Sequence, residues 1–99
     1  ALRTLGLMGN SIGDAGATAL SGGLAGCTAL QTLYLQDNFI SDAGAAALFH
    51  CLAGCTALQY LDLGGNRISD AGIAEAQRVL SRVRNLESPI IRVAEAVFR

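Results

Sequence analysis

The sequence predicts an α/β fold in which short strands and helices alternate and stack as repeated units. First, equivalent residues recur every 28 positions, as in Leu2, Leu30, Leu58 and Leu86. Second, each unit contains leucines that alternate with other residues, which is typical of a short half-buried strand. Third, apolar residues four positions apart follow each strand and indicate a helix.

The second unit shows both elements. Leu33 and Leu35 alternate with more polar neighbours, so we expect a strand there. Leu48 and Leu52 mark the buried face of a helix that Gly54 ends. One unit cannot bury its own leucines, so we expect the units to stack, with a parallel sheet on one side and helices on the other.

Two polar residues recur between each strand and the following helix. The turn asparagines, whose amides can bond to backbone groups of their own and the adjacent loop, are Asn10, Asn38 and Asn66. The residues predicted as helix N-caps, where a carboxylate accepts from free N–H groups, are Asp14, Asp42 and Asp70. We interpret both sets as structural, so the aspartates are not taken as catalytic pairs.

The pattern L-x-x-L-x-L-x-x-N-x-I, which begins at Leu30 and continues with helical leucines, resembles the leucine-rich repeat family in its ribonuclease-inhibitor-like class. The resemblance covers residues 1–86 and departs once, where Ala76 replaces a helix leucine. It implies an α/β solenoid with a curved parallel sheet inside and α-helices on the convex side. The three implied repeats are 1–28, 29–56 and 57–85.

The pattern breaks after Leu86. Pro89 stands at the first inward strand position and Ala94 stands where the asparagine is expected. Ser88 and Pro89 instead match an N-cap followed by the first helical residue. Residues 86–99 are therefore either a degenerate fourth repeat or a C-terminal capping helix, and we favour the helix. Because Ala1 begins directly on the repeat pattern, we expect a segment of a longer array or a partner packed against the first repeat.

Composition excludes several classes of protein. Hydrophobic residues make up 52% of the chain and charged residues only 15%, which argues against disorder. The longest apolar run, Ala43 to Phe49, is far shorter than the ~18 residues of a membrane span. A net charge of −1 gives no field that attracts nucleic acid, so such contact is expected only within a larger complex. Three cysteines fit poorly with a disulfide framework, so we expect an intracellular, cytoplasmic protein.

The candidate catalytic and metal-binding residues fit structural roles better. Cys27 and Cys55 occupy a repeat position that holds Val83 in the third unit, which indicates apolar packing. Cys51, Cys55 and His50 lack the fourth ligand and the paired spacing of a zinc site. No phosphate-binding glycine motif occurs. We therefore predict a non-enzymatic protein with no cofactor, no metal and no small-molecule substrate.

The outward-facing strand positions differ between the units. Stacking predicts that Gly6, Tyr34 and Asp62 form one row and that Thr4, Thr32 and Tyr60 form the next. The two tyrosines would be an aromatic anchor for a protein partner, or simple cross-strand packing on a solvated face. The predicted partner-binding residues of this concave face are Met8, Thr32, Tyr34, Gln36, Asp37, Tyr60 and Asp62.

The sequence therefore predicts a protein–protein interaction module that binds its partner on the concave face. The alternative is a structural or accessory subunit of a large intracellular assembly, held through its ends and its arginine-rich C-terminal part. Arg78 and Arg82 share a helix face there, either as solvated surface or as a basic contact for phosphate or an acidic partner.

Overall fold

The structure, a computed structural model, describes residues 2–83, 90–93 and 96–98, with side chains for residues 2–79. Strands and helices alternate along most of the described chain. They are β1 (Thr4–Gly6), α1 (Gly13–Leu24), β2 (Thr32–Tyr34), α2 (Asp42–Leu52), β3 (Tyr60–Leu63), α3 (Asp70–Val83), β4 (Ile90–Val93) and β5 (Ala96–Phe98).

The strands form one sheet in the order β1-β2-β3-β4-β5. The first three strands are parallel, and residues opposite one another lie 28 positions apart. This register confirms the two predicted rows, because Tyr34 lies opposite both Gly6 and Asp62, and Thr32 lies opposite both Thr4 and Tyr60.

The core lies between the sheet and the helices. Leu33 and Leu61 of the sheet and Leu35, which directly follows β2, are fully buried together with Leu48 of α2. Full burial of each such leucine contributes about 1.5–3 kcal/mol, which makes this layer the main source of stability. Phe49 is also buried, although no repeated pattern selects it. Because alternate strand residues point to opposite faces, the remaining strand residues form a second face, on which none of the described helices packs.

The first repeat is less completely buried than the second. Leu5 and Leu7 are half-buried, whereas the equivalent Leu33 and Leu35 are fully buried. Leu2 is 46% exposed. Within the described residues, the first repeat has a neighbouring repeat on one side only, so its inner side chains keep contact with solvent.

The segment after the third repeat differs from the favoured prediction. Residues 90–93 form strand β4, parallel to β3, and residues 96–98 form β5, antiparallel to β4, so a helix over this segment is wrong. Ile91 lies opposite Leu61, a spacing of 30 rather than 28 residues. The two β-branched isoleucines, Ile90 and Ile91, favour a strand here. Residues 84–89 and 94–95 lie outside the described residues.

Candidate interaction surface

A ladder of asparagine side chains connects the turns at the ends of the strands. The Asn38 amide nitrogen donates to the carbonyl of Leu35 in its own turn at 3.1 Å and to that of Leu7 in the preceding repeat at 2.9 Å. Its side-chain oxygen accepts from the backbone N–H groups of Asn10 at 2.8 Å and Ile12 at 3.3 Å. Asn38 therefore satisfies backbone groups of two successive turns at once.

Asn66 repeats these contacts one unit further along the chain. Its oxygen accepts from the N–H groups of Asn38 and Ile40, each at 2.9 Å, and its nitrogen donates to Leu35 and Leu63. The Asn10 amide nitrogen donates only to carbonyls within its own loop. Each asparagine after the first thus bonds backward to the repeat before it.

The aspartates do not cap their own helices, and the predicted N-cap role is wrong. Helix α1 begins at Gly13 and α2 at Asp42, so Asp14 and Asp42 lie within the first turns, as does Asp70 in α3. The Asp14 carboxylate instead accepts from the N–H of Ser41 at 2.7 Å and of Gly44 at 3.1 Å, and from the Ser41 hydroxyl. Asp14 therefore caps the start of the following helix.

Asp42 makes the same forward contact to the third repeat. It accepts from the Ser69 N–H at 2.8 Å and from the Ser69 hydroxyl, while the Ser69 oxygen accepts from Gly72 and so caps α3. Hydrogen bonds from the Ser69 side chain and backbone lower the pKa of Asp42 below its ordinary value. The Ser41 side chain and backbone lower the pKa of Asp14 in the same way. Both carboxylates are held charged by the helix that follows.

The two tyrosines meet on the helix-free face. The ring centroids of Tyr34 and Tyr60 are 5.6 Å apart at an interplanar angle of 54°, a tilted arrangement that aromatic pairs favour. The Tyr60 hydroxyl donates to one Asp62 oxygen at 3.2 Å, and the Gly64 N–H donates to the other at 2.9 Å. Asp62 is only 7% exposed, so its carboxylate supports the tyrosine pair more than it contacts solvent.

The other predicted surface residues differ in exposure. Met8 is 49% exposed and Asp37 is exposed, whereas Thr32 and Gln36 are half-buried. The Gln36 side-chain oxygen is buried with no hydrogen-bond donor among the described residues. We name the set that shares this side of the sheet the open sheet face, and its members are Thr4, Gly6, Met8, Thr32, Tyr34, Gln36, Tyr60 and Asp62. The predicted Asp37 lies instead in the turn after β2, where its carboxylate lies over Gly65 of the next repeat.

The proposed basic contact is not assembled among the described side chains. Arg78 forms an ion pair with Glu75 on the same helix, with 2.6 Å between its Nη2 and Oε2. The Arg82 side chain lies outside the described residues. A different aromatic contact escaped the sequence analysis: Phe39 is 57% exposed, and the Arg67 guanidinium lies 5.2 Å from its ring centroid. Phe39 and Arg67 lie in the turns of two successive repeats and meet because these turns are neighbours in the fold.

Cys55 is buried, whereas Cys27 and Cys51 are half-buried against the core. Burial raises the pKa of Cys51, and it raises the pKa of Cys55 to about 11. Among the described residues, no group of three or more His, Cys, Asp or Glu side chains is placed to hold a metal ion. In the same part of the chain, no helix combines the length and the apolarity that crossing a bilayer requires.

One strand and one helix per unit, joined by a ladder of turn asparagines, define a β/α repeat protein. Models of Leucine Rich repeats match residues 28–76 as two copies and residues 2–21 as one further repeat. These matches together cover more than half of the sequence, and the chain belongs to the leucine-rich repeat family. Such repeats generally mediate protein–protein interaction and are typically non-catalytic. No curated protein matches the sequence.

Proposed function

We propose that the chain is a non-catalytic interaction module of a ribonuclease-inhibitor-like solenoid, and that it binds a protein partner on its open sheet face. The main support for this proposal is the Tyr34–Tyr60 pair, whose ring centroids are 5.6 Å apart. Both tyrosines are half-buried, and the opposite face of their strands packs against the helices. Tyrosine offers a large contact area with few rotatable bonds, and such residues dominate binding energy at interfaces.

The sheet supports this proposal because it fixes the positions of the two rings before any partner arrives. Tyr60 is tied to Asp62, and Asp62 is tied in turn to the backbone of Gly64. A surface that is already ordered loses little conformational entropy on binding, so more of the contact energy appears as affinity. The helix side of the molecule offers no comparable pair among the described residues.

The test is capture of a partner by three purified proteins: the wild type, a Tyr34→Ala/Tyr60→Ala variant and a His50→Ala/Gln77→Ala control. His50 and Gln77 are exposed residues of α2 and α3. Proteins captured from cell extract are identified by mass spectrometry, and the dissociation constant of each purified candidate is then measured by calorimetry.

We expect the tyrosine variant to bind about 30-fold or more weakly than the wild type, since anchor residues typically contribute at least about 2 kcal/mol. The control should bind like the wild type. Circular dichroism melts establish that all three proteins are folded. Equal affinity of the wild type and the tyrosine variant would contradict binding through this face.

The incomplete burial of the first repeat favours a second candidate, a structural subunit of a large assembly. Leu2 is 46% exposed, and Leu5 and Leu7 keep contact with solvent. A partner covering these leucines would stabilise the chain, so this candidate requires the isolated protein to aggregate or to melt without cooperativity. A cooperative, monomeric melt would count against it. The odd number of cysteines, three, fits poorly with a disulfide framework and supports an intracellular, cytoplasmic location for either candidate.

A further inference from the structure

An exposed aromatic side chain lies in the turn after β2. Phe39 is 57% exposed, whereas the equivalent residues of the first and third repeats are the polar Ser11 and Arg67. The backbone of Phe39 has a φ of 58°, in the left-handed region, which small or polar residues adopt more readily than a bulky aromatic one. Phe39 does not belong to the buried core. Phenylalanine at this position therefore adds backbone strain and exposed apolar surface without a gain in core packing.

The Arg67 guanidinium lies over the Phe39 ring and keeps its own hydrogen-bond donors free. Its central carbon is 5.2 Å from the ring centroid, within the range of a cation–π interaction. The Arg67 backbone N–H donates to the Ile40 carbonyl at 2.8 Å, which fixes the arginine against the turn that carries Phe39. None of the described side chains forms an ion pair with Arg67 or accepts a hydrogen bond from it. The ring thus holds an exposed guanidinium in place while its N–H groups stay available to a partner.

The charges around this guanidinium favour a partner group with a single negative charge. A guanidinium forms paired hydrogen bonds with either a carboxylate or a phosphate. The Asp37 carboxylate lies over Gly65, two residues before Arg67. The Asp42 carboxylate accepts from the Ser69 N–H, two residues after Arg67. Repulsion from these carboxylates costs a dianionic phosphate about twice as much as a carboxylate with one charge, so the surroundings select the carboxylate.

We propose that Phe39 and Arg67, which we call the turn pair, bind an acidic segment of a protein partner in which a carboxylate has apolar neighbours. The carboxylate accepts paired hydrogen bonds from the Arg67 guanidinium. Because that guanidinium lies over the ring, the apolar neighbours of the carboxylate cover the exposed part of Phe39. Covering both groups excludes water, and the attraction between opposite charges rises as the local dielectric constant falls. The turn pair includes no residue of the open sheet face, so this contact is additional to the one proposed above.

The test is an NMR titration of the ¹⁵N-labelled protein with three synthetic peptides whose termini are blocked by acetyl and amide groups. The first is Gly-Leu-Glu-Leu-Gly, the second has glutamine in place of glutamate, and the third has phosphoserine there. We expect the first peptide to shift the amide signal of Phe39 and the Nε–H signal of Arg67. The glutamine peptide should bind about fivefold more weakly, because it lacks the charge. The phosphoserine peptide should bind no more tightly than the first.

Two variants assign the contacts, and a third is the matched control. Arg67→Gln should abolish the preference for the glutamate peptide over the glutamine peptide. Phe39→Ser introduces the residue that holds the equivalent position of the first repeat at a φ of 51°, so it should stay folded and bind the first peptide about fivefold more weakly. Arg3→Gln makes the same chemical change at an exposed arginine of the first repeat and should bind like the wild type. Circular dichroism melts establish that all three variants are folded.

Equal binding of the glutamate and glutamine peptides by the wild type, unchanged affinity in Phe39→Ser, or the absence of a shift at Phe39 and Arg67 would each overturn the inference. An unchanged preference in Arg67→Gln would do the same. Tighter binding of the phosphoserine peptide would overturn it in favour of a phosphorylated partner. The function proposed above is tested separately, through the tyrosine variant and its captured partner, and neither result determines the other.

Discussion

At the scale of single residues, the buried turn asparagine has the clearest structural role. The Asn38 side chain is fully buried and takes part in five hydrogen bonds that serve its own turn and the preceding one. Recurrence at one repeat position indicated a turn residue that bonds to adjacent backbone. The sequence alone did not show that Asn10, with no described turn before it, bonds only within its own loop.

The two asparagines therefore give a matched pair of substitutions. Asn38→Ala should lower the free energy of unfolding by about 3 kcal/mol or more, because several buried backbone groups lose their partners at about 1–3 kcal/mol each. Asn10→Ala removes only exposed bonds and should cost about 1 kcal/mol. Urea denaturation followed by circular dichroism measures both values. Equal losses would show that the ladder does not hold successive turns together.

At the scale of the elements, the starts of α2 and α3 each depend on a carboxylate from the preceding repeat. The repeat period predicts that Asp14 caps its own helix, because it aligns each aspartate with the helix that follows it directly. In the structure, Asp14 instead accepts hydrogen bonds from Ser41 and Gly44 of the next repeat. A sequence period shows which residues are equivalent, but it does not show which neighbouring loop lies within hydrogen-bond distance. Strand β4 could not be predicted for a related reason. The repeat pattern is lost there, so the sequence gives no sign that Ile91 pairs with Leu61 at a spacing of 30 residues.

The contact between the Asp14 carboxylate and Ser41 makes the free energy of unfolding depend on pH under acidic conditions. The folded protein holds the pKa of Asp14 below its ordinary value of 3.8, so the contribution is fully present above about pH 4 and is lost as pH falls through the folded pKa. The urea midpoint of the wild type should fall as the pH is lowered from about 5 to about 2, the range in which this carboxylate takes up its proton. Asp14→Asn and Ser41→Ala should each make this fall smaller. Ser21→Ala, a helix serine that bonds to Thr18, is the control. The control should keep the wild-type acid slope, and the same slope in Asp14→Asn or Ser41→Ala would contradict the linkage.

At the scale of the whole molecule, stability is unevenly distributed between the repeats. The parallel sheet, its register over three strands and the leucine core follow from the repeated positions, which is why the sequence predicted them. Burial differences between equivalent positions do not follow from a period. Leu5 and Leu33 occupy the same repeat position, yet only Leu33 is fully buried.

Leu33→Ala should therefore destabilise the protein more than Leu5→Ala. We expect a loss of about 3–4 kcal/mol for the buried leucine and about half of that for the half-buried one, since both the transfer and the cavity contributions shrink with exposure. Chemical denaturation measures the two values. Hydrogen exchange of the wild type should show amides of β1 and α1 exchanging faster than those of β2 and α2. Similar protection of both repeats would contradict this gradient.

Side-chain hydrogen bonds connect neighbouring repeats at two places, the turns and the helix starts, and they point in opposite directions along the chain. Asparagines bond backward between turns, and aspartates bond forward between helix starts. Rotation of one repeat about either contact therefore breaks the other, so adjacent repeats have no free hinge. Tyr34 and Tyr60 belong to the second and third repeats, and the contacts of Asn66 and Asp42 between these repeats oppose a change in the spacing of the two rings. A partner that binds this face would therefore meet side chains whose relative positions are already set. Selection between partners would depend on how well their shape fits this surface, and not on a rearrangement of the repeats.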